Sequence, residues 1–151
     1  MKYFLDFYTQ YSQFYLVDKS SDQNTSDDFW DEDAFEDRLA INDGILGVGT
    51  ECYGPIKGEV EILEKENSNI DFSDYDHIVE ASLQINSGAL QIQDCPNSSI
   101  QLEVILPENC YSVRIYSSNL ASVEGDEGDD YYRIEIWPAP PIRRKVLKRF
   151  I

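Results

Sequence analysis

Apolar side chains recur at every second position through most of the chain, the period of half-buried strands. Tyr3, Leu5 and Phe7 share one face of residues 2–9, and residues 13–18 read as a second strand. Residues 57–64 alternate with Val60 and Ile62 inward and Glu59 and Glu61 outward. Residues 76–85 put His77, Val79, Ala81, Leu83 and Ile85 on one face, and residues 89–93 continue through Leu90 and Ile92. Residues 99–106 alternate through Ile100, Leu102, Val104 and Leu106, residues 110–117 through Tyr111, Val113 and Ile115, and residues 131–137 through Tyr132, Ile134 and Ile136. Asn86-Ser87-Gly88 has hairpin chemistry, and Leu106-Pro107-Glu108-Asn109 has turn chemistry. Four short strands in succession between 76 and 117 therefore predict an antiparallel meander.

The pattern breaks at residues 27–50, D-D-F-W-D-E-D-A-F-E-D-R-L-A-I-N-D-G-I-L-G-V-G-T. Asp31 is placed to cap a helix, and Trp30 and Phe35 can staple its first turn. Glu32 and Asp33 fall where the helix dipole favours negative charge. Phe35 and Leu39 are four apart and share a helical face. Asn42-Asp43-Gly44 is expected to end this helix, and Ile45-Leu46-Gly47-Val48-Gly49 to resume as a Gly-rich strand. At the other end, Pro138-Ala139-Pro140-Pro141 cannot continue a central strand. Beyond it Ile142, Val146 and Phe150 recur at helical spacing.

About nine strands and one helix predict a mostly all-β fold: an antiparallel two-layer β-sandwich with one short α-helix near residues 31–40. An open barrel is the alternative. The expected division is a β-sandwich domain over 1–137 and a Pro-rich, then basic, tail over 138–151.

Charge narrows the function. Twenty-nine acidic against 12 basic residues give a net charge of −17 in 151 residues. That balance argues against direct nucleic-acid binding, which needs basic surface to neutralise phosphates. It suits solubility, a basic partner, or mimicry of a nucleic acid. Ten Tyr, seven Phe and two Trp argue against a disordered acidic chain. No apolar run approaches the ~20 residues of a membrane helix. The N-terminus meets Asp6 too early for a signal peptide, so the expected location is cytoplasmic. Cys52, Cys95 and Cys110 form no close pair and are expected as reduced thiols.

Catalytic signals are weak. His77, the single histidine, sits on an alternating strand, where a structural role is the commoner one. No Ser occupies a Gly-x-Ser-x-Gly elbow and no Cys an assembled nucleophile motif, so no enzyme and no cofactor are expected. Residues 124–130, E-G-D-E-G-D-D, offer oxygens suited to calcium but lack the spacing of a calcium loop, and no metal site is assigned. Gly44, Gly47 and Gly49 follow a helix rather than precede one, the wrong order for phosphate binding. Arg143, Arg144, Lys145, Lys148 and Arg149 crowd the tail. A tail this basic could contact a membrane surface or nucleic acid, but it is expected to lie against the acidic body.

What remains is surface. Asp27 and Asp28 with Asp31, Glu32, Asp33, Glu36 and Asp37 load the helix, and Glu124, Asp126, Glu127, Asp129 and Asp130 form a second cluster. If the fold joins them, they make a field that attracts a basic protein. Phe29, Trp30, Tyr131 and Tyr132 are the neighbouring aromatic anchors such an interface would use.

The stretch F-W-D-E-D-A-F-E-D-R-L-A-I-N-D-G-I-L-G-V-G resembles the tryptophan, acidic helix and D-G strand of the bacterial nuclease inhibitors called competence protein J. Y-S-Q-F-Y-L-V at 11–17 is similar to that family's early strand. Residues 75–120, with the N-S-G and L-P-E-N-C-Y turns, are similar to its middle, and D-D-Y-Y-R-I-E-I has a counterpart near its end. The chain departs in its greater acidity and in its Pro-rich, basic extension. The resemblance implies an intracellular protein that binds and silences a nuclease; acidic inhibitors of metal-dependent nucleases can work by filling the basic substrate groove. The partner expected is thus a basic protein, a nuclease or similar toxin. The alternative is an adaptor or a ligand-binding β-sandwich for calcium or carbohydrate.

Overall fold

The computed structural model describes every residue except Asn24, Ser26 and Asp27. It is a mostly-β structure of two packed sheets with one short helix. One sheet, in spatial order, contains β1 (Lys2–Tyr8), β5 (Pro55–Ile62), β10 (Tyr131–Pro138), β9 (Asn109–Ser118), β6 (His77–Ile85) and β11 (Lys145–Lys148). The other contains β3 (Leu39–Asn42), β4 (Ile45–Gly49), β2 (Gln13–Asp18), β7 (Ala89–Gln93) and β8 (Ile100–Ile105). The alternating residues of the sequence form the layer between them. Leu5, Phe14, Leu16, Leu46, Val60, Val79, Leu83, Ile92, Val113 and Ile134 pack there in one cluster. His77 and Tyr132 are also completely buried.

A second, smaller core lies on the outer face of the five-stranded sheet. Phe29 and Ala34 pack on Val17, Ala40 and Ile45, with Tyr15 and Trp30 at the margin. Gly47 makes this possible: a Cβ there would lie 2.8 Å from the Trp30 ring and 2.9 Å from that of Phe29. The glycine pattern of 44–49 thus provides flat ground for two rings, together with the Asp43-Gly44 turn, where Gly44 has φ +70.

The structure differs from the sequence expectations at four points. The helix α1 spans only Glu32–Asp37, because Arg38 takes the left-handed conformation (φ 62) and its N–H closes the last turn on Ala34 and Phe35. Leu39 therefore belongs to a strand, and Asn42-Asp43-Gly44 is the turn of the β3–β4 hairpin, with Asn42 opposite Ile45. The meander is not formed. β6 and β9 pair in one sheet while β7 and β8 pair in the other, so 86–88 and 106–108 are arches between sheets. Buried Asp18 holds the first arch by accepting from the Asn86 and Ser87 amides, each at 3.1 Å. The sheets are not wholly antiparallel, since β10 runs parallel to β5, Tyr132 opposite Gly58 through Ile136 opposite Ile62. Finally, residues 145–148 are a strand and not a helix; β11 pairs antiparallel with β6, with a register irregularity between Val146 and Lys148.

That strand brings the basic tail onto the helix. Arg144 Nε and Arg149 donate to the Asp37 carboxylate at 2.8 and 2.6 Å. Arg144 also reaches the Leu39 carbonyl, and Arg149 that of Glu36. His77 completes the junction. Its Nε2–H donates to the Asp37 carbonyl at 2.8 Å, and its Nδ1 accepts the Phe150 amide at 3.2 Å, which requires the neutral ring. Burial pushes the His77 pKa below its ordinary value, and the nearby Arg38 and Arg149 charges act the same way, against the Asp37 carbonyl.

Neutral His77 is thus favoured in the folded state. Its contribution to stability is full above the ordinary value of about 6.5 and is lost as pH falls toward the lower folded value. Comparing melting temperatures of the wild type and His77→Gln from pH 7.5 to pH 5.5 should show the wild type losing stability on acidification relative to the variant. Parallel curves would exclude His77 as the source.

Candidate binding surface at one end of the sandwich

The strand registers gather four connections at one end. β1 ends where β5 begins (Tyr8 opposite Pro55), β2 begins where β4 ends (Gln13 opposite Gly49), and β9 ends where β10 begins (Ser118 opposite Tyr131). Loops 9–12, 50–54 and 119–130 therefore share this end. The C-terminus of α1 joins them, because β3 starts opposite Val48. The two acidic clusters predicted from sequence thus lie at the same end, with the 50–54 loop between them. Arg38 donates to Glu51 at 2.7 Å on one side of that loop, and the Tyr53 amide reaches the Asp126 carbonyl at 3.1 Å on the other.

Eight of the ten acids expected at a partner surface are exposed: Asp31, Glu32, Asp33, Glu36, Glu124, Asp126, Glu127 and Asp129. Asp31 also caps α1, accepting the Ala34 amide at 2.8 Å. Its helix dipole is complemented by Glu32 and Asp33 in the first turn. The acidic loop is ordered by its own contacts. Glu124 and Glu127 bridge across the Gly125-Asp126 turn, and the Ser122 hydroxyl accepts the Asp129 amide at 2.8 Å. Asp27 lies outside the described residues.

The other two are not exposed. Asp37 does not face outward with its helix neighbours, because it receives Arg144 and Arg149 of the tail. Burial raises its pKa, but the two arginines more than offset this, and the carboxyl is held below its ordinary value. Asp130 is 2% exposed. It accepts from Tyr132 Oη at 2.5 Å and from the Cys52 amide at 3.2 Å, which anchors the 50–54 loop. Burial and then the Asp130 carboxylate push the Cys52 thiol up to about 12, so it is an inert thiol. The same two causes push Tyr132 up, keeping its hydroxyl a donor.

The aromatic anchors also differ. Phe29 and Tyr132 are buried at 4% and 0%, and Trp30 and Tyr131 are half-buried. The rings that do face solvent at this end are Tyr8, Tyr11 and Phe35, at 63%, 57% and 66%. Tyr8 lies over Gly54. Tyr11 meets half-buried Tyr53 edge-on at 5.7 Å between centroids. Phe35 lies 5.4 Å from Trp30. This is the expected staple, yet most of the Phe35 ring remains in water. An aromatic strip therefore runs between the two acidic clusters.

Tyr11 is held in an unusual backbone. It and Ser12 are consecutive non-glycine residues with positive φ, 62 and 56. Such residues cost energy and persist only where neighbours enforce them. Here the Thr50 amide donates to the Ser12 carbonyl at 2.9 Å, and the Ser12 amide to Tyr53 at 3.1 Å. Sequence reasoning missed this turn because Q-Y-S carries no glycine or asparagine to signal it.

Among the described residues no three or more His, Cys, Asp or Glu side chains converge as metal ligands would. His77 is wholly used in the junction beneath the surface. What the end can do chemically is present negative charge and exposed aromatic rings together.

No protein-family model and no curated protein sequence matches the chain. Solved structures do. ComJ of Bacillus subtilis, described as the inhibitor of the DNA degrading activity of NucA, superposes with a TM-score of 0.71 over 92% of this chain and 98% of its own, at 18% identity. The chain has the ComJ fold. A second structure, described as crocagin biosynthetic gene J, has a TM-score of 0.62 at 13% identity, over 93% of this chain and 98% of the other. The distant resemblance to that family is thereby supported at the level of the fold. At such identities the ComJ fold is shared, and the chemistry of the acidic end rests on this chain's own residues.

The two sets of acids should separate in a urea titration. Asp31→Ala should cost about 1 kcal/mol through the lost cap. Asp37→Ala should cost on the order of 2 kcal/mol through its lost charged hydrogen bonds. Replacing Glu32, Glu36, Asp126 and Glu127 together by Gln should change stability by less than about 1 kcal/mol, relief of like-charge repulsion offsetting the lost dipole contact of Glu32. A large loss in that fourfold variant would show these acids to be structural.

Proposed function

We propose that this protein is a cytoplasmic binding protein that inhibits a nuclease, or a similar basic toxin, by covering it with the acidic, aromatic end of the sandwich. The observation that carries the proposal is the meeting of two exposed acidic clusters with Tyr8, Tyr11 and Phe35 between them. The acids supply long-range attraction and orientation, and the rings supply the desolvated contact that slows dissociation. A nuclease groove that binds DNA is basic, and the inhibitor offers it negative charge on a rigid frame. The fold shared with ComJ supports a nuclease as the target class. Exposed charge and exposed rings on one rigid end are what an inhibitor would present to its target.

The test is to mix the purified protein with the nuclease or toxin encoded nearest to it, following DNA degradation and complex formation at low and high salt. The expected result is stoichiometric inhibition that weakens with salt. Charge reversal at Glu32, Glu36, Asp126 and Glu127 should slow association by about tenfold or more. Absence of both complex and inhibition at low salt would contradict the proposal.

A further inference from the structure

The acidic end contains a defined cleft. It has a volume of about 180 Å³ and is lined chiefly by Tyr11, Gln13, Trp30, Phe35, Arg38 and Gly49. Trp30 forms one wall, with its indole N–H donated to Gln13 Oε1 at 2.8 Å, so the ring is fixed. The half-exposed rings of Phe35 and Tyr11 stand beside it. Gly49 contributes no side chain, which leaves the space open. A dry apolar cavity of about 150 Å³ accommodates benzene, so this volume is that of one large apolar side chain.

Charge around the cleft distinguishes its interior from its rim. Arg38 lines it, with its guanidinium paired to Glu51 at 2.7 Å and stacked over the Phe150 ring at 5.4 Å. A fixed positive group there disfavours a second cation inside. Outside, the chain neighbours of the aromatic walls are acids: Asp31 and Glu32 follow Trp30, and Glu36 follows Phe35, all exposed. The complementary shape is one apolar side chain entering the cleft, with positive charge to either side of it.

We infer that the cleft between Trp30, Phe35 and Tyr11 is the anchor site of this surface. Its occupant is a single phenylalanine- or leucine-sized side chain projecting from a Lys/Arg-rich segment of the partner. This rests on the proposed role of the acidic end as a docking surface and specifies the partner's recognition element. A purely electrostatic surface would bind any polycation of equal charge. An anchor site discriminates between equally charged segments by one side chain.

The experiment uses two synthetic peptides, one with a central Phe flanked by lysines and one with Ala in its place, titrated into the isotope-labelled full chain. The readout is the indole N–H resonance of Trp30, assigned by its loss in Trp30→Phe; the indole of Trp137, 5% exposed beneath Arg114, is the internal control. The Phe peptide should shift the Trp30 indole and leave Trp137 in place, and the Ala peptide should bind at least about tenfold more weakly. Phe35→Ala should abolish that difference without unfolding the protein, because the ring is 66% exposed. Phe4→Ala, which removes a 75% exposed ring on β1 away from the cleft, should preserve it. Equal binding of the two peptides, or an unchanged preference in Phe35→Ala, would overturn the inference. The peptide result is independent of the nuclease assay: Phe-selective binding without nuclease inhibition would contradict the proposed target and leave the anchor site standing.

Discussion

A six-residue helix cannot hold itself in water, because nucleation outweighs the few hydrogen bonds it gains. α1 exists because both of its ends are tied. At the start, Asp31 caps the first turn, and the edges of the Phe29 and Trp30 rings pack against Gly47. At the finish, Asp37 is gripped by Arg144 and Arg149 while His77 holds its carbonyl. The second tie comes from the last residues of the chain, which reach the helix only because β11 pairs with β6. The position of the exposed acids on α1 therefore depends on an ion-pair junction supplied by a segment over a hundred residues away.

This junction explains the distribution of charge. The chain is strongly acidic, and its acids repel one another across the surface. Of the five cations of residues 143–149, Arg144 and Arg149 pair with Asp37 and Lys148 donates to the Phe72 carbonyl, while the neighbouring acids of α1 stay exposed. Elsewhere Arg114 and Arg133 pair with Glu59, Glu61, Glu80 and Glu135 on the outer face of the six-stranded sheet. The positive charge is spent on holding the frame, and the end carrying loops 9–12, 50–54 and 119–130 keeps its negative field.

Much of the strand content was legible because alternation is a local signal. His77, Val79, Ala81, Leu83 and Ile85 all point into the core as their spacing requires. Partnership was not legible. A turn such as Asn86-Ser87-Gly88 has the same chemistry whether it joins two strands of one sheet or arches between two, and only the pairing of β6 with distant β9 decides. β3 and β11 were hidden for a related reason. Leu39 and Val146 fit a helical period as well as a strand period, and tertiary pairing overrode the weak helical preference. The Asp43-Gly44 dipeptide between two apolar runs was the available hairpin signal. For the site, exposed acids were readable from sequence. The aromatic strip was not: the alternation already put Tyr132 with Ile134 and Ile136, but burial of Phe29 and exposure of Tyr11 and Phe35 follow from packing, not from neighbouring residues.

The central claim is that the acidic, aromatic end is the face that meets the partner. Hydrogen exchange of the chain alone and in complex with the nuclease or toxin it is found to bind tests this most directly. The account predicts new protection in residues 11–13, 30–38, 50–54 and 124–129, with the β8 edge and the 63–76 crossover unchanged. Protection confined to the β8 edge or that crossover, with the end still exchanging freely, would contradict it.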